Sequence, residues 1–222
     1  MGTLYIVATP IGNLQDITFR ALEILKTVDF VACEDTRQTL KLLNHYQLKK
    51  KLISYFQPKE KKKIPLLLKK LEQGNDIALV SDAGTPGLSD PGFPLIRAAL
   101  DRGIEVVPIP GPSALTAALP PSGLPAHRFV FLGFPPVKKT ACRKLLSSLQ
   151  DESGTLVFYI PLRKVPGFLK LTQEILGERE AVLAREMTKI HEEFIRGTVS
   201  EVLTKLETIT MKGEGTLLIR GC

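Results

Sequence analysis

The sequence predicts an α/β protein of two successive domains, the first built on a mostly parallel sheet. Three observations lead there. Short apolar runs alternate with segments whose apolar residues recur at helical spacing. Gly-, Pro- and Asp-rich loops follow several of those runs, as they do at the carboxyl edge of an open parallel sheet. Composition shifts at residues 120–128, where Pro120, Pro121, Gly123 and Pro125 cluster, and this sets a domain of residues 1–120 against one of residues 121–222.

The elements follow in order. Residues 4–8 read as a buried strand ended by Thr9-Pro10-Ile11-Gly12-Asn13. Residues 16–26 carry apolar side chains at Ile17, Ala21, Leu22, Ile24 and Leu25, a helical spacing. A strand at 30–33 leads into Glu34-Asp35-Thr36-Arg37, a helix at 39–46, a strand at 52–55 and a helix at 64–73 stopped by Gly74. The strand at 77–80 opens the loop of residues 81–92, a helix covers 93–101, and a strand at 104–107 precedes the loop of residues 108–113. A short helix, 114–119, ends at the two prolines. In the second half, strands are expected at 129–132, 155–159, 181–184, 194–196 and 216–220, with helices at 137–150, 168–176 and 200–207, in a sheet of mixed direction.

Composition narrows the function classes. The 222 residues are 44% hydrophobic and 24% charged, which suits a globular core. No apolar run approaches the ~20 residues of a membrane span, and the start of the chain lacks the basic n-region of a secretory signal, so a cytoplasmic protein with no membrane partner is expected. The three cysteines are scattered and odd in number, which argues for a reducing compartment, and neither they nor the three histidines suggest a metal site. The formal charge is +7, and its distribution is uneven. Between Lys41 and Lys70 stand ten lysines and one acid, Glu60. Such a segment attracts polyanions and makes their binding salt-dependent. Lys49, Lys50, Lys51, Lys61, Lys62 and Lys63 are the candidate nucleic-acid contacts.

Three loops at one sheet edge (9–13, 81–92 and 108–113) predict a shaped pocket. The first contains only Gly12, so it is no dinucleotide fingerprint, and no phosphate-binding Gly-x-x-x-x-Gly-Lys-Ser/Thr occurs. A ligand carrying an adenine, a ribose, an amine and a carboxylate stays open. Small residues allow its close approach, and Asp82 can accept from a hydroxyl or an amine. The alternative for Asp82 is a turn cap.

The motifs Thr9-Pro10-Ile11-Gly12-Asn13-Leu14, Glu34-Asp35-Thr36-Arg37, Val80-Ser81-Asp82-Ala83-Gly84-Thr85-Pro86, Ser89-Asp90-Pro91-Gly92, Pro110-Gly111-Pro112-Ser113 and Arg185-Glu186-Met187-Thr188-Lys189 occur in this order. Together they resemble the ribosomal RNA small-subunit methyltransferase I family, which methylates the 2′-oxygen of a cytidine in 16S rRNA. The resemblance spans nearly the whole chain. It implies a tetrapyrrole-methylase-like fold, with two α/β domains and S-adenosylmethionine in the cleft between them, and commonly a homodimer. By position it gives cofactor contacts to Pro10, Ser81, Asp82, Ala83, Gly84, Thr85, Leu88, Ser113, Ala114, Phe158, Tyr159, Ala184 and Gly215. Small-subunit rRNA or the 30S subunit is the implied partner. Two departures stand out. Members of the family usually follow Phe-Tyr with Glu, a small residue and His-Arg, where this chain has Ile160-Pro161-Leu162-Arg163-Lys164. Many members carry a C-terminal helical extension, whereas this sequence stops at Cys222, and the lysine-rich segment is expected to supply any RNA clamp.

A ribose hydroxyl must lose its proton during methyl transfer, so a general base or a cation beside the forming alkoxide is required. Glu34, Asp35, Arg37, Arg185, Glu186 and Lys189 are the candidates, each of which could instead form a surface ion pair. Two rival readings remain: a methylase of a small molecule such as a corrin precursor, and a non-catalytic RNA-binding protein.

Overall fold

The computed structural model describes residues 1–57, 60–209 and 211–222. They form two compact units, Met1–Ser113 and Ala114–Cys222.

In the first unit β1 (Leu4–Val7), β2 (Phe30–Cys33), β3 (Lys51–Ser54), β4 (Ile77–Val80) and β5 (Val106–Ile109) make a sheet in the order β3-β2-β4-β1-β5. All pairings are parallel. β4 is buried at every residue, as expected for a central parallel strand covered on both faces. Its side chains alternate. Ala78 and Val80 join Val7, Val31 and Ile109 beneath α1 (Phe19–Thr27) and α2 (Thr36–His45). Ile77 and Leu79 face α3 (Glu60–Glu72) and α4 (Phe93–Leu100), against Leu67, Leu71 and Leu95. Two caps set where the first helices begin: Thr18 accepts from the Ala21 N–H and Asp35 from the Arg37 N–H. The connections leaving β1 and β4 run in opposite directions across the sheet, which makes their carboxyl ends the topological switch point.

β5 lies two residues beyond its expected position and includes Pro108, paired with Ile6. Because β5 is an edge strand, bonded only to β1, the missing proline N–H deprives no second neighbour.

The second unit begins with α5 (Ala114–Ser122), which runs through Pro120 and Pro121 where the sequence predicted a stop. Arg196 closes its end: Nη2 donates to the Pro121 carbonyl at 2.6 Å and Nε to that of Ser122 at 3.4 Å. These bonds satisfy carbonyls that the end of the helix leaves without an amide partner. β6 (Phe129–Gly133), β7 (Thr155–Pro161), β8 (Glu180–Arg185), β9 (Glu193–Thr198) and β10 (Glu214–Ile219) form a sheet in the order β6-β7-β10-β8-β9. Only β6 and β7 are parallel, so the sheet is mixed as expected. Its core contains Leu156, Phe158, Ile160, Leu183 and Leu217, with side chains of α6 (Lys139–Ser147), α7 (Val165–Leu176) and α8 (Val199–Leu206). α5 packs on β8 and β10.

Candidate cofactor and substrate site

A parallel sheet brings all its carboxyl ends to one edge, so the loops after β1, β2, β4 and β5 meet there. Main-chain bonds stitch three of them together. Thr9 and Gly84 exchange N–H···O bonds at 2.8 and 2.9 Å, a two-residue antiparallel bridge. The Thr9 hydroxyl donates to the Ser81 carbonyl at 3.1 Å, and the Thr85 hydroxyl to the Pro112 carbonyl at 3.3 Å. Gly84 has φ +88°, a left-handed conformation that favours glycine. At Gly111 a Cβ would lie 3.1 Å from the Ala8 Cβ, so the loop after β5 sits directly on the end of β1.

Of the predicted cofactor contacts in this unit, Ser81, Gly84 and Ser113 are buried, Pro10, Thr85 and Leu88 half-buried, and Asp82 and Ala83 exposed. Thr9 was not among them, yet it holds two of the loops. Its only signal in the sequence is its place just before Pro10 in the loop motif.

The loop after β2 joins this group through one bond. The Asp35 N–H donates to Asp82 Oδ1 at 3.0 Å. Asp35 also binds Arg37, Nη2 to Oδ2 at 2.6 Å and Nε to Oδ1 at 3.0 Å, and this bonding holds its carboxyl down at about 2. Glu34 behaves in the opposite way. Burial first, then the carboxylates of Asp82, Asp90 and Asp35, push its pKa up. Asp82 is raised as well, by desolvation and by the Asp35 charge. Two adjacent acids thus have pKa values driven apart, Asp35 as a fixed anion and Glu34 as a group inclined to hold a proton.

In the second unit, the other charged candidates lie on the turn between β8 and β9. Arg185 Nε is 3.2 Å from Glu193, and Lys189 Nζ is 3.2 Å from Glu186. Glu186 and Thr188 have φ +49° and +64°, strained for residues with a Cβ. The Thr188 N–H donates to Glu192 at 2.6 Å and pins the turn.

Phe158 and Tyr159 were expected to share one task, but neighbours on a strand point to opposite faces. The Phe158 ring is fully buried, edge-on to Phe168 with centroids 5.0 Å apart, so its side chain is a core group. Tyr159 lies on the other face, edge-on to Phe131 at 4.9 Å and Phe134 at 5.9 Å, and its hydroxyl accepts from the Leu115 N–H at 3.0 Å. Ile160 shares the face of Phe158 and is fully buried. The residue that departs from the family pattern therefore sits in the apolar core. Ala184 is fully buried, and a Cβ at Gly215 would lie 2.9 Å from the Ala184 carbonyl oxygen, which makes Gly215 a packing requirement of its own sheet.

The lysines divide. Lys49, Lys51, Lys61 and Lys62 are exposed and Lys63 half-buried. Lys50 does not fit a contact surface: its Nζ donates to the carbonyls of Lys26 and Val28 at 2.7 and 2.6 Å and closes the C-terminal end of α1. Lys70, a member of the same run, lies 3.8 Å from the Phe30 ring centroid, where the cation meets the π face. Lys59 is outside the described residues. No helix among the described residues is long and apolar enough to cross a membrane.

The parallel sheet with its stitched loops, followed by a mixed sheet, defines a class, and comparison with known proteins gives the same one. Residues 3–203 match the sequence profile of the tetrapyrrole (corrin/porphyrin) methylases, and the chain belongs to that family. The methyltransferase CobJ superposes with a TM-score of 0.75 at 17% identity, covering 100% of this chain and 95% of that one. The cobalt precorrin-4 methyltransferase CbiF superposes with 0.73 at 16% identity, covering 98% and 94%. At such identities the likeness is one of fold. Within the family, the chain is 48% identical to the ribosomal RNA small subunit methyltransferase I of Thermotoga maritima, covering 100% of this chain and 99% of the relative. It is 50% identical to the protein of that name from Synechocystis, covering 100% and 80%.

Proposed function

We propose that this chain transfers a methyl group from S-adenosylmethionine to the ribose 2′-oxygen of a cytidine in small-subunit ribosomal RNA. The observation that carries this reading is identity of 43–50% over nearly the whole chain to proteins named ribosomal RNA small subunit methyltransferase I. The residues present suit the cofactor. Ala83 and Gly84 leave the backbone approachable, and the loops that hold them are fixed before anything binds. Ser81 to Thr85, Leu88 and Ser113 would hold it. Bound adenosylmethionine supplies a sulfonium methyl open to in-line attack.

What remains for the chain is position and proton. Glu34 is the candidate base: partly buried among carboxylates, it takes the 2′-hydroxyl proton when ionised. Its raised pKa sets the acid limb of the rate above that of an ordinary glutamate. Arg37, held by Asp35, and Lys189, held by Glu186, are the candidate cations for a forming alkoxide. The exposed lysines 49, 61 and 62 support an RNA substrate over a corrin, which needs few cations. A homodimer in the cytoplasm completes the reading, on the family resemblance.

The test is transfer of label from radioactive adenosylmethionine to small ribosomal subunits lacking native modification, mapped by nuclease digestion. Label at a ribose 2′-oxygen is the expected result. An unlabelled subunit, with cofactor binding intact, would favour the corrin-type or non-catalytic reading.

A further inference from the structure

The bond between Asp35 and Asp82 joins residues 47 positions apart, and with them two loops of different tasks. Asp82 lies between Ser81 and Gly84, both fixed by Thr9. Asp35 caps α2 and is followed by Arg37, which it holds. A loop carrying a base needs its backbone placed to within a fraction of an ångström of the methyl donor's loop. The first residue after Glu34 is where this tie is made.

We propose that Asp82 is a positioning residue: its carboxylate takes the Asp35 N–H and fixes the Glu34–Arg37 loop to the Ser81–Thr85 loop, so that base and cofactor platform form one rigid piece. This rests on the reading of Glu34 as base and adds a task to the expected cofactor contact of Asp82. The carboxylate has a second effect. The charged groups around Glu34 are Asp82, Asp90 and Asp35, with the Arg37 guanidinium beside Asp35; burial does most to raise the Glu34 pKa, and the Asp82 carboxylate adds to it. One side chain thereby ties the loop and adds to the proton affinity of Glu34.

The experiment compares Asp82→Ala, which removes acceptor and charge, with Asp82→Asn, which keeps an acceptor oxygen for the Asp35 N–H. Asp82→Ala should lose kcat by roughly 10²-fold, a loss that persists at saturating adenosylmethionine. Asp82→Asn should recover most of the turnover, and its acid limb should move to lower pH because one opposing carboxylate is gone. Unchanged kcat with weakened cofactor binding in Asp82→Ala would make Asp82 a cofactor ligand only and overturn the inference. A readout without substrate separates this from failure of the proposed reaction. Amide hydrogen exchange at Asp35 should quicken in Asp82→Ala and stay slow in Asp82→Asn, while the Thr9 and Gly84 amides stay protected in both. If Asp35 keeps its protection in Asp82→Ala, the tie is not made by that carboxylate, whatever the methylation assay gives. Full turnover in Glu34→Gln would sink the base assignment and leave the tie to be judged by exchange.

Discussion

The carboxyl edge of the first sheet and the β8–β9 turn of the second are both loops rich in predicted site residues, yet they are built differently. The first is tied across loops distant in sequence: the Thr9 and Gly84 main chains bond each other, and the Asp82 carboxylate receives the Asp35 N–H. The turn is tied within itself, by main-chain bonds from Lys189 to Glu186 and from Glu192 to Lys189, by the Lys189–Glu186 ion pair and by Glu192 on the Thr188 N–H, over two strained residues. Backbone bonds define a cradle whatever side chains vary around it, which suits a ligand that never changes. Exposed ion pairs contribute little stability and weaken with salt, so the turn can exchange its partners for a charged ligand at small cost.

Glu34→Gln tests the first construction where the expected effect is largest. Loss of a positioned base costs roughly 10²–10⁴-fold in kcat. Stability should move the other way. The folded protein raises the pKa of Glu34, so folding favours the protonated form, and Glu34 makes stability fall as pH rises from its unfolded towards its folded pKa. An uncharged glutamine removes that penalty, and the Tm measured above this window should rise. A variant that loses both activity and Tm would show that Glu34 supports the loop structurally, and the contrast between a rigid cradle and a poised base would fail.

The second sheet permits a contrast of neighbours. Phe158→Ala should cost about 3–5 kcal/mol in denaturant unfolding, because the fully buried ring leaves a cavity against Phe168. Tyr159→Phe removes the acceptor for the Leu115 N–H and should cost about 1 kcal/mol. Equal losses would mean that the two faces of β7 contribute alike to the core.

The opposite facing of Phe158 and Tyr159 follows from the period of two along a strand. Much else was legible. The alternation of apolar runs and helical segments predicted both sheets, and glycine-rich loops marked the carboxyl edge of the first. What stayed hidden depends on residues distant in sequence. Nothing local says that Asp82 will meet the Asp35 N–H, or that Pro108 falls on an edge strand where its missing N–H is harmless. Arg196 caps a helix ending 74 residues earlier, a contact that nothing near Pro120 and Pro121 announces. Lys50 shows the same limit: in a run of ten lysines its chemistry is like the others, and only the passage of β3 beside the end of α1 gives it a structural task.

Salt separates the two kinds of lysine, with the smallest expected effects. Replacing Lys61, Lys62 and Lys63 by Ala removes cations from the first turn of α3. On the proposed RNA reading, affinity should fall and the slope of log K against log salt should flatten by about 2, the share of three phosphate contacts on a single strand. Adenosylmethionine binding should not change. Lys50→Ala should act on the other quantity, lowering stability by up to ~1 kcal/mol through the lost cap on α1 while leaving the salt slope within error. If Lys50→Ala flattens the slope as much per charge as the triple variant, its ammonium faces RNA despite the two carbonyls. If the triple variant leaves the slope intact, the lysine-rich segment is a solvated face, and the phosphate contacts must come from cations elsewhere, with Lys189 and the strained turn that presents it the next group to remove.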